Sequence, residues 1–180
     1  GDLAAGFAQA DVIVERSFDT RPIHQGYIEP QACTVSHAAD GRVTIWSSSQ
    51  GQFMVRGMVS LLTGIPQSNI RAIPAEIGGG FGAKTIIYLE PLAVVLSKKS
   101  GRPVKMVMSR DEVMRATGPT SGMKGTVKIG AKKDGTIVAA HGIYYLQAGC
   151  LPGSPLRGPV GCSFAPYNIA NVVSEGFDVV

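Results

Sequence analysis

The sequence predicts an α+β fold, and three observations carry this prediction. Segments with the two-residue apolar period of strands mix with segments of helical period, without a regular βαβ rhythm. Two strand-like pairs are each separated by an Asp-Gly dipeptide, which favours a hairpin turn. Apolar residues make up 44% and charged residues 17% of the 180 residues, so the chain can bury a core of ordinary size.

The first strands are predicted from alternation and turn residues. Residues 11–18 alternate in the manner of a short strand, and residues 31–37 and 42–48 form a strand pair around the Asp40-Gly41 turn. A further short strand is predicted at residues 70–73.

A first helix is predicted to begin after Ser49. Ser49 and Gln52 have the spacing of a capping box, which would make Gln50 the first residue of the helix. Apolar residues then recur at helical spacing, and Gly64 and Pro66 are stop signals.

A second helix is predicted at residues 86–96, which are apolar nearly all round. Such a helix is expected to be buried on most sides. Pro91 must lie in its first turn or kink it, and the stop signals that follow are Lys98, Lys99, Gly101 and Pro103.

The rest of the chain, after Pro103, begins with a predicted strand at residues 104–108 and one or two helical turns at 111–115. A second hairpin is predicted from residues 123–131 and 136–147, around the Asp134-Gly135 turn. Beyond it the chain reads as a loop over residues 149–161, rich in glycine and proline, with a last strand at 177–180.

Composition excludes several function classes. The net charge of +4 is scattered, whereas nucleic-acid binding needs a basic patch, and no apolar run approaches the ~20 residues of a membrane span. His24 has no second ligand at zinc-like spacing.

Three cysteines without a C-x-x-C pair are expected to be packing residues in a reducing compartment. The cytoplasm is therefore the expected compartment, with periplasmic export of the parent protein as the alternative.

The glycine content, 23 of 180 residues, is concentrated in part at residues 78–85. Gly78, Lys84 and Thr85 match a phosphate loop, although Ala83 replaces its second glycine. Gly78, Gly80 and Ala83 match a dinucleotide fingerprint, but without the acidic residue expected about 20 positions on. A tight connection that binds no ligand is the third possibility.

The same segment resembles the G-G-G-F-G-x-K signature of the xanthine dehydrogenase/aldehyde oxidase (molybdenum hydroxylase) family, in its molybdopterin-binding subunit. Other segments follow the order of that family, and the resemblance covers residues 10–180. These segments are Ala10-Asp11-Val12-Ile13-Val14-Glu15, His24-Gln25-Gly26-Tyr27-Ile28-Glu29-Pro30-Gln31, Trp46-Ser47-Ser48-Ser49-Gln50, Arg102-Pro103-Val104-Lys105, Ser109-Arg110-Asp111-Glu112 and Pro166-Tyr167-Asn168.

The resemblance implies a two-layer α+β molybdenum-cofactor-binding domain with a mixed sheet and two packed helices. It implies that Gln50 hydrogen-bonds an oxygen ligand of molybdenum, a contact that a neutral amide makes without adding charge. It implies that the pterin is lined by Gly79, Gly80, Phe81 and Gly82, although Phe81 is equally expected as a core aromatic. Glu29 is expected to be structural, and no catalytic residue or metal ligand is assigned in this chain.

The implied reaction is hydroxylation of a substrate with water as the oxygen source. The implied cofactor is molybdopterin, expected in its cytosine dinucleotide form, with molybdenum; electrons would pass to 2Fe-2S and FAD in partner domains or subunits. Purine-hydroxylating members carry glutamate where this chain has Thr85, so an aldehyde or an aromatic heterocycle is the expected substrate.

The chain is expected to be one domain, excised from a larger chain, with subdomains at residues 1–115 and 116–180 and a glycine loop at 78–84. The family's catalytic glutamate and its arginine-bearing loop are expected beyond residue 180, in the remainder of the molybdenum subunit. Alone, the 180 residues are expected to be inactive and to hold no cofactor. The alternatives from other classes are a degenerate P-loop nucleotide-binding module using residues 78–85 and a plain interaction domain.

Overall fold

The computed structural model describes residues 1–150 and 153–180, and it confirms the α+β class. The strands of this part of the chain are β1 (Val12–Thr20), β2 (Ala32–His37), β3 (Val43–Ser47), β4 (Ile70–Pro74), β5 (Val104–Val107), β6 (Met123–Ala131), β7 (Ile137–Gln147) and β8 (Val172–Val179). The helices are α1 (Leu3–Ala8), α2 (Gln52–Thr63), α3 (Glu90–Ser100), α4 (Arg110–Ala116) and α5 (Arg157–Cys162), with a short 3₁₀ turn at Gln67–Asn69. Helix α1 has no counterpart among the predicted elements.

The chain divides into two compact units, one of residues 1–23 and 121–180 and the other of residues 24–120. This division differs from the predicted one at residue 115, because β1 pairs with β6 along its whole length and so joins the N-terminal residues to the C-terminal third. Strand pairing between distant segments is not visible in local patterns. That the 180 residues act as one cofactor-binding domain stays a prediction.

The first unit contains a four-stranded sheet in the order β1-β6-β7-β8. Its pairs are antiparallel except for β7 and β8, which are parallel. The predicted hairpin of β6 and β7 is confirmed, and its Gly135 has φ of 88°, a left-handed conformation that glycine adopts without strain.

The prediction of a loop over residues 149–161 is wrong in its second half. Helix α5 begins at Arg157 and packs on β8, where a Cβ on Gly176 would lie 2.5 Å from Val160 and 2.6 Å from Leu156. Pro159 is tolerated because it lies in the first turn of α5, where its missing N–H leaves no hydrogen bond unmade. Pro152 of the predicted loop lies outside the described residues.

The second unit is the predicted two-layer arrangement. Its sheet has the order β4-β3-β2-β5, with β3 and β4 parallel and the other pairs antiparallel. Helices α2 and α3 pack against each other and against the sheet. The core between the layers is formed by Cys33, Val35, Val43, Ile45, Val55, Val59, Ile70, Ala93 and Val94.

The predicted capping box of α2 is wrong. The helix begins at Gln52 with Gly51 as its N-cap, and no side chain caps it, so Gln50 precedes the helix and is not its first residue. The Ser49 hydroxyl instead accepts from the Gly51 amide and donates to the Lys84 carbonyl. A capping box does occur at α4, where Ser109 and Glu112 exchange hydrogen bonds. The C-terminus of α2 at Gly64 is as predicted, with Gly64 left-handed at φ of 72°.

Helix α3 begins later than predicted, at Glu90, and Pro91 lies in its first turn. It is also not buried on most sides, because Leu92 and Val95 are each about half exposed. Its inner face is tied to the sheet by Glu90, which is 7% exposed and accepts from the Ser47 hydroxyl at 2.5 Å and from the Tyr88 amide at 3.0 Å. The apolar composition predicted the helix, but burial depends on the elements around it.

The packing role predicted for the cysteines is confirmed for Cys33 and is wrong for the other two. Cys33 is buried in the second unit, and burial together with the neighbouring Glu90 carboxylate raises its pKa to about 12. Cys150 and Cys162 are exposed thiols. Across residues 1–150 and 153–180, no helix is long and apolar enough to cross a membrane.

Candidate functional site

The glycine segment of the second unit, residues 78–84, is a series of tight turns and not the start of a helix. Gly79 and Gly82 have φ of 94° and 96°, in the left-handed region that favours glycine. Phe81 has φ of 49°, and within the described residues it is the only non-glycine residue with a positive φ. Its side chain is 74% exposed, so Phe81 is not the core aromatic of the alternative prediction. A strained backbone that presents an exposed ring is typical of functional loops.

Gln50 is bound to this segment through both its backbone and its side chain. Its amide N–H donates to the Lys84 carbonyl at 2.8 Å. Its side-chain Oε1 accepts from the Gly82 amide at 3.0 Å and from the Lys84 amide at 3.1 Å. Gln50 is therefore held in place by the glycine segment, and not, as predicted, by a position in the first turn of a helix.

These two amides also decide which end of the Gln50 side chain faces outward. Both partners are N–H donors, so the atom between them must be the oxygen, and Nε2 is the outward end. Gln50 is exposed, and Nε2 has no hydrogen-bond partner in the described part of the chain. The site thus offers a neutral donor of two N–H groups.

Close packing against Gln50 explains one of the glycines. Gly80 is buried, and a Cβ on it would lie 2.5 Å from Oε1 and 2.8 Å from Cδ of Gln50. Gly79 is less confined, since its added Cβ would lie 3.1 Å from the Phe81 ring and 3.2 Å from Cβ of Tyr27. Within residues 1–150 and 153–180, the amides of Gly79, Gly80 and Phe81 make no hydrogen bond. Gly79 and Phe81, which are not buried, consequently offer backbone donors to a ligand.

Glu29 and Lys84 form an ion pair beneath the segment. The Lys84 ammonium lies 2.5 Å from Glu29 Oε2, and the two side chains are 1% (Lys84) and 33% (Glu29) exposed. The same Oε2 accepts from the Gly78 amide at 2.8 Å. The Lys84 ammonium also lies 5.1 Å from the centre of the Tyr27 ring, a favourable cation–π distance. Glu29 was predicted to be structural, with backbone or an arginine of the larger protein as its partner; the backbone partner is the Gly78 amide, and the cationic partner is Lys84 and not an arginine.

Tyr27 is fixed in turn by side chains that lie next to β2 and α4 in the chain. Its hydroxyl accepts from Gln31 Nε2 at 2.6 Å and donates to the Thr117 hydroxyl at 3.2 Å. The Arg110 guanidinium donates to the carbonyls of Tyr27 and Ile28. These contacts anchor the backbone that carries Glu29.

His24 belongs to the same network. Its Nδ1 accepts from the Gly26 amide at 3.0 Å, and its Nε2 lies 3.1 Å from the Thr117 hydroxyl. Both ring nitrogens therefore have protein partners. Within the residues the structure describes, no group of three or more His, Cys, Asp or Glu side chains is placed to hold a metal ion.

We expect the Glu29 carboxyl to make stability depend on acid pH. Burial raises its pKa, but the hydrogen bonds from the Lys84 ammonium and the Gly78 amide outweigh burial and hold the pKa below its ordinary value of 4.5. The stabilisation is therefore complete above that value and is lost as the pH falls through the folded-state pKa. Urea unfolding from about pH 6 to pH 3 should show a steeper loss in the wild type than in Glu29→Gln. Equal slopes would contradict this assignment.

The geometry does not support the phosphate-loop interpretation of residues 78–85. A phosphate loop leads directly into a helix, whereas α3 begins only at Glu90. The lysine that would reach a triphosphate is buried and paired with Glu29. The dinucleotide fingerprint lacks its following helix for the same reason.

Sequence reasoning brought Gln50 and the glycine segment together only through the family resemblance. It gave Lys84 a role only in the phosphate-loop alternative, and it gave Tyr27 none. Both residues occur in the matching segments, so the signal was present. What local pattern could not indicate is that the ammonium turns inward to Glu29, some 55 positions away in the chain.

Comparison with known proteins gives consistent results. A family model for the molybdopterin cofactor-binding domain matches residues 1–180. The nicotinate dehydrogenase large molybdopterin subunit of Eubacterium barkeri is 32% identical over 176 residues, which cover 96% of this chain and 41% of that protein. A probable xanthine dehydrogenase component of Bacillus subtilis (strain 168) is 30% identical over 182 residues, covering 99% of this chain and 24% of that protein.

A solved structure is similar over nearly the whole chain. The aldehyde oxidoreductase from Desulfovibrio gigas superimposes with a TM-score of 0.74 at 28% identity, covering 99% of this chain and 20% of that one. The chain spans less than half the length of each of these three proteins.

Proposed function

The chain belongs to the molybdopterin cofactor-binding domain family, and from this premise we propose that it forms one wall of a molybdopterin site in a molybdenum-dependent oxidoreductase. The observation that carries the proposal is the orientation of Gln50, whose oxygen is held by two loop amides so that its neutral donor faces outward. The proposed wall consists of Gln50, Gly79, Gly80, Phe81 and Gly82.

The chemistry of these groups fits an oxygen-rich, anionic cofactor. The donors are the Gln50 side-chain amide and the backbone N–H groups of Gly79 and Phe81, which the described residues leave without a partner, and none of them adds charge. The nearby carboxylate of Glu29 is neutralised by Lys84 and so does not repel an anion. A Cβ at Gly80 would fill the space of the Gln50 side chain, which explains why the segment requires glycine there.

The residues of this chain would bind and orient, and they would take no part in bond making. When bound, molybdenum and its pterin supply two-electron oxidation with water as the oxygen source. Gln50 would donate to an oxygen acceptor of the cofactor, and the backbone of residues 79–82 would lie against the pterin. The backbone there presents N–H groups without intervening side-chain atoms.

We infer an aldehyde or an aromatic heterocycle as the substrate class. Position 85 carries threonine, whose hydroxyl donates to the Gly82 carbonyl at 2.7 Å, so no carboxylate is available there to bind a purine. Two of the relatives act, by their names, on nicotinate and on aldehydes. Faster turnover of hypoxanthine than of benzaldehyde by the intact enzyme would contradict the inference.

The finer features of the parent enzyme are part of the same proposal. The cofactor is proposed in its cytosine dinucleotide form, and 2Fe-2S and FAD in partner domains or subunits would accept the electrons. The remainder of the molybdenum subunit would complete the site, the cytoplasm is the proposed compartment, and the 180 residues alone would be inactive and free of cofactor.

Molybdenum analysis of the full-length gene product tests the proposed function. We expect molybdenum and pterin at about one per protein, and a fall of about 10–100-fold in turnover for Gln50→Ala, as found for residues that orient metal ligands. The matched control is Gln52→Ala, which removes a neighbouring glutamine whose Nε2 donates to the Ser47 carbonyl and not to the loop. A purified protein without molybdenum would contradict the proposal, and so would an unchanged Gln50→Ala enzyme.

A further inference from the structure

We infer that Glu29 and Lys84 are positioning residues: their ion pair closes the glycine segment and thereby sets the direction in which Gln50 offers its side-chain donor. The inference rests on the proposed function for the identity of the ligand, but its geometry belongs to this chain alone. It assigns Lys84 to the support of the site and not to direct contact with an anion.

One carboxylate oxygen joins the two ends of the segment. Glu29 Oε2 accepts from the Gly78 amide at one end and from the Lys84 ammonium at the other, at 2.8 and 2.5 Å. The Glu29 amide also donates to the Gly78 carbonyl at 3.3 Å. A change at Glu29 therefore affects the first and the last residue of the segment together.

The closed end of the segment is also the part that holds Gln50. The Lys84 backbone accepts from the Gln50 amide and donates to Gln50 Oε1, so both contacts move with Lys84. Gly82 supplies the second donor to Oε1 from within the segment. Releasing the Lys84 side chain would consequently loosen both amides that keep the Gln50 oxygen inward.

Burial separates this role from that of an anion ligand. The Lys84 side chain is 1% exposed and is held between Glu29 and the Tyr27 ring, so its charge is already compensated within the protein. To meet a phosphate it would have to leave both partners and expose the ring. The arrangement favours a fixed support.

Hydrogen exchange of the full-length gene product, prepared without molybdenum and followed by NMR, tests the inference without any cofactor. In Lys84→Met, which keeps a linear side chain against Tyr27, we expect exchange at the amides of Gly82 and residue 84 to accelerate at least about tenfold. The amides of the core strands β2 and β3 should keep their rates. The NMR signals of the Gln50 side-chain amide should shift in the same variant.

Two further variants make the result decisive. Asp40→Asn, which breaks the exposed pair of Asp40 with Arg42, is the matched control and should leave Gly82, residue 84 and Gln50 unchanged. Glu29→Gln retains an oxygen for the Gly78 amide and decides the question by the same criteria if Lys84→Met does not fold.

Two results would overturn the inference. One is retention of wild-type protection at Gly82 and residue 84. The other is loss of that protection only in step with the core strands, since this would indicate a general contribution to stability. Because no molybdenum enters the measurement, a local loss in a protein that binds no molybdenum would contradict the proposed function and leave the positioning intact.

Discussion

Replacement of Glu29 by alanine is expected to lower the free energy of unfolding by about 3–5 kcal/mol, the range found when one partner of a buried ion pair is removed. The reason is that the charge left behind is buried, because the Lys84 ammonium is 1% exposed and would have no anionic partner. The Gly78 amide would lose its acceptor as well. Urea unfolding followed by circular dichroism at neutral pH measures the loss.

Removal of the other partner, in Lys84→Met, is expected to be milder, at about 1–3 kcal/mol. Glu29 is 33% exposed and keeps the Gly78 amide, so water can solvate the carboxylate that remains. Methionine also retains apolar contact with Tyr27. An exposed-pair control, Asp40→Ala, should leave stability essentially unchanged. If Lys84→Met were the more damaging of the two, the assignment of the ammonium as the deeply desolvated charge would be wrong.

Gly80→Ala is expected to reduce molybdenum content or turnover of the full-length protein by about 10–100-fold. The new Cβ would lie 2.5 Å from Gln50 Oε1, closer than any real contact permits. The end of a glutamine side chain is flexible, so Gln50 should move and the backbone should stay. The effect on stability is then limited to two lost hydrogen bonds, at about 0.5–1.5 kcal/mol each.

A second glycine provides the matched control for this variant. Gly57 lies inside α2, and a Cβ there would meet nothing within 4 Å. Gly57→Ala should therefore raise the free energy of unfolding by about 0.5–1 kcal/mol and leave molybdenum content unchanged. Normal activity in Gly80→Ala, or an equal loss in Gly57→Ala, would contradict the role given to the contact between Gly80 and Gln50.

Elements with strong local signals were predicted from the sequence with bounds close to those observed. The hairpins turn at Asp-Gly because glycine reaches a left-handed φ without strain, and α2 ends at Gly64 for the same reason. The predicted helix start was wrong where a residue with a local capping signal instead forms a hydrogen bond with a residue distant in the chain. Ser49 has the sequence of an N-cap, but its hydroxyl donates to the Lys84 carbonyl, and the helix begins at Gln52, two residues later than predicted.

The candidate site was predicted in its parts but not in its connections. The order of motifs identified Gln50 and residues 79–82 through the family resemblance, and they remain proposed cofactor contacts. Neither the resemblance nor the spacing indicated that one oxygen of Glu29 joins both ends of the segment. Hydrogen bonds between residues 29, 50, 78 and 84 depend on where the chain brings them, and no local period encodes that.

By itself, the sequence determined the fold class, most of the secondary structure and the family, because these follow from periodicity, turn residues and motif order along the chain. The tertiary structure alone decided which way the key side chains face. The Lys84 ammonium faces inward to Glu29 because a buried charge must be compensated. The Gln50 donor faces outward because the two N–H donors of the segment require the side-chain oxygen between them. The unusual glycine content of residues 78–82 is explained at Gly80 by that outcome: the backbone must approach Gln50 closely enough to leave no room for a Cβ.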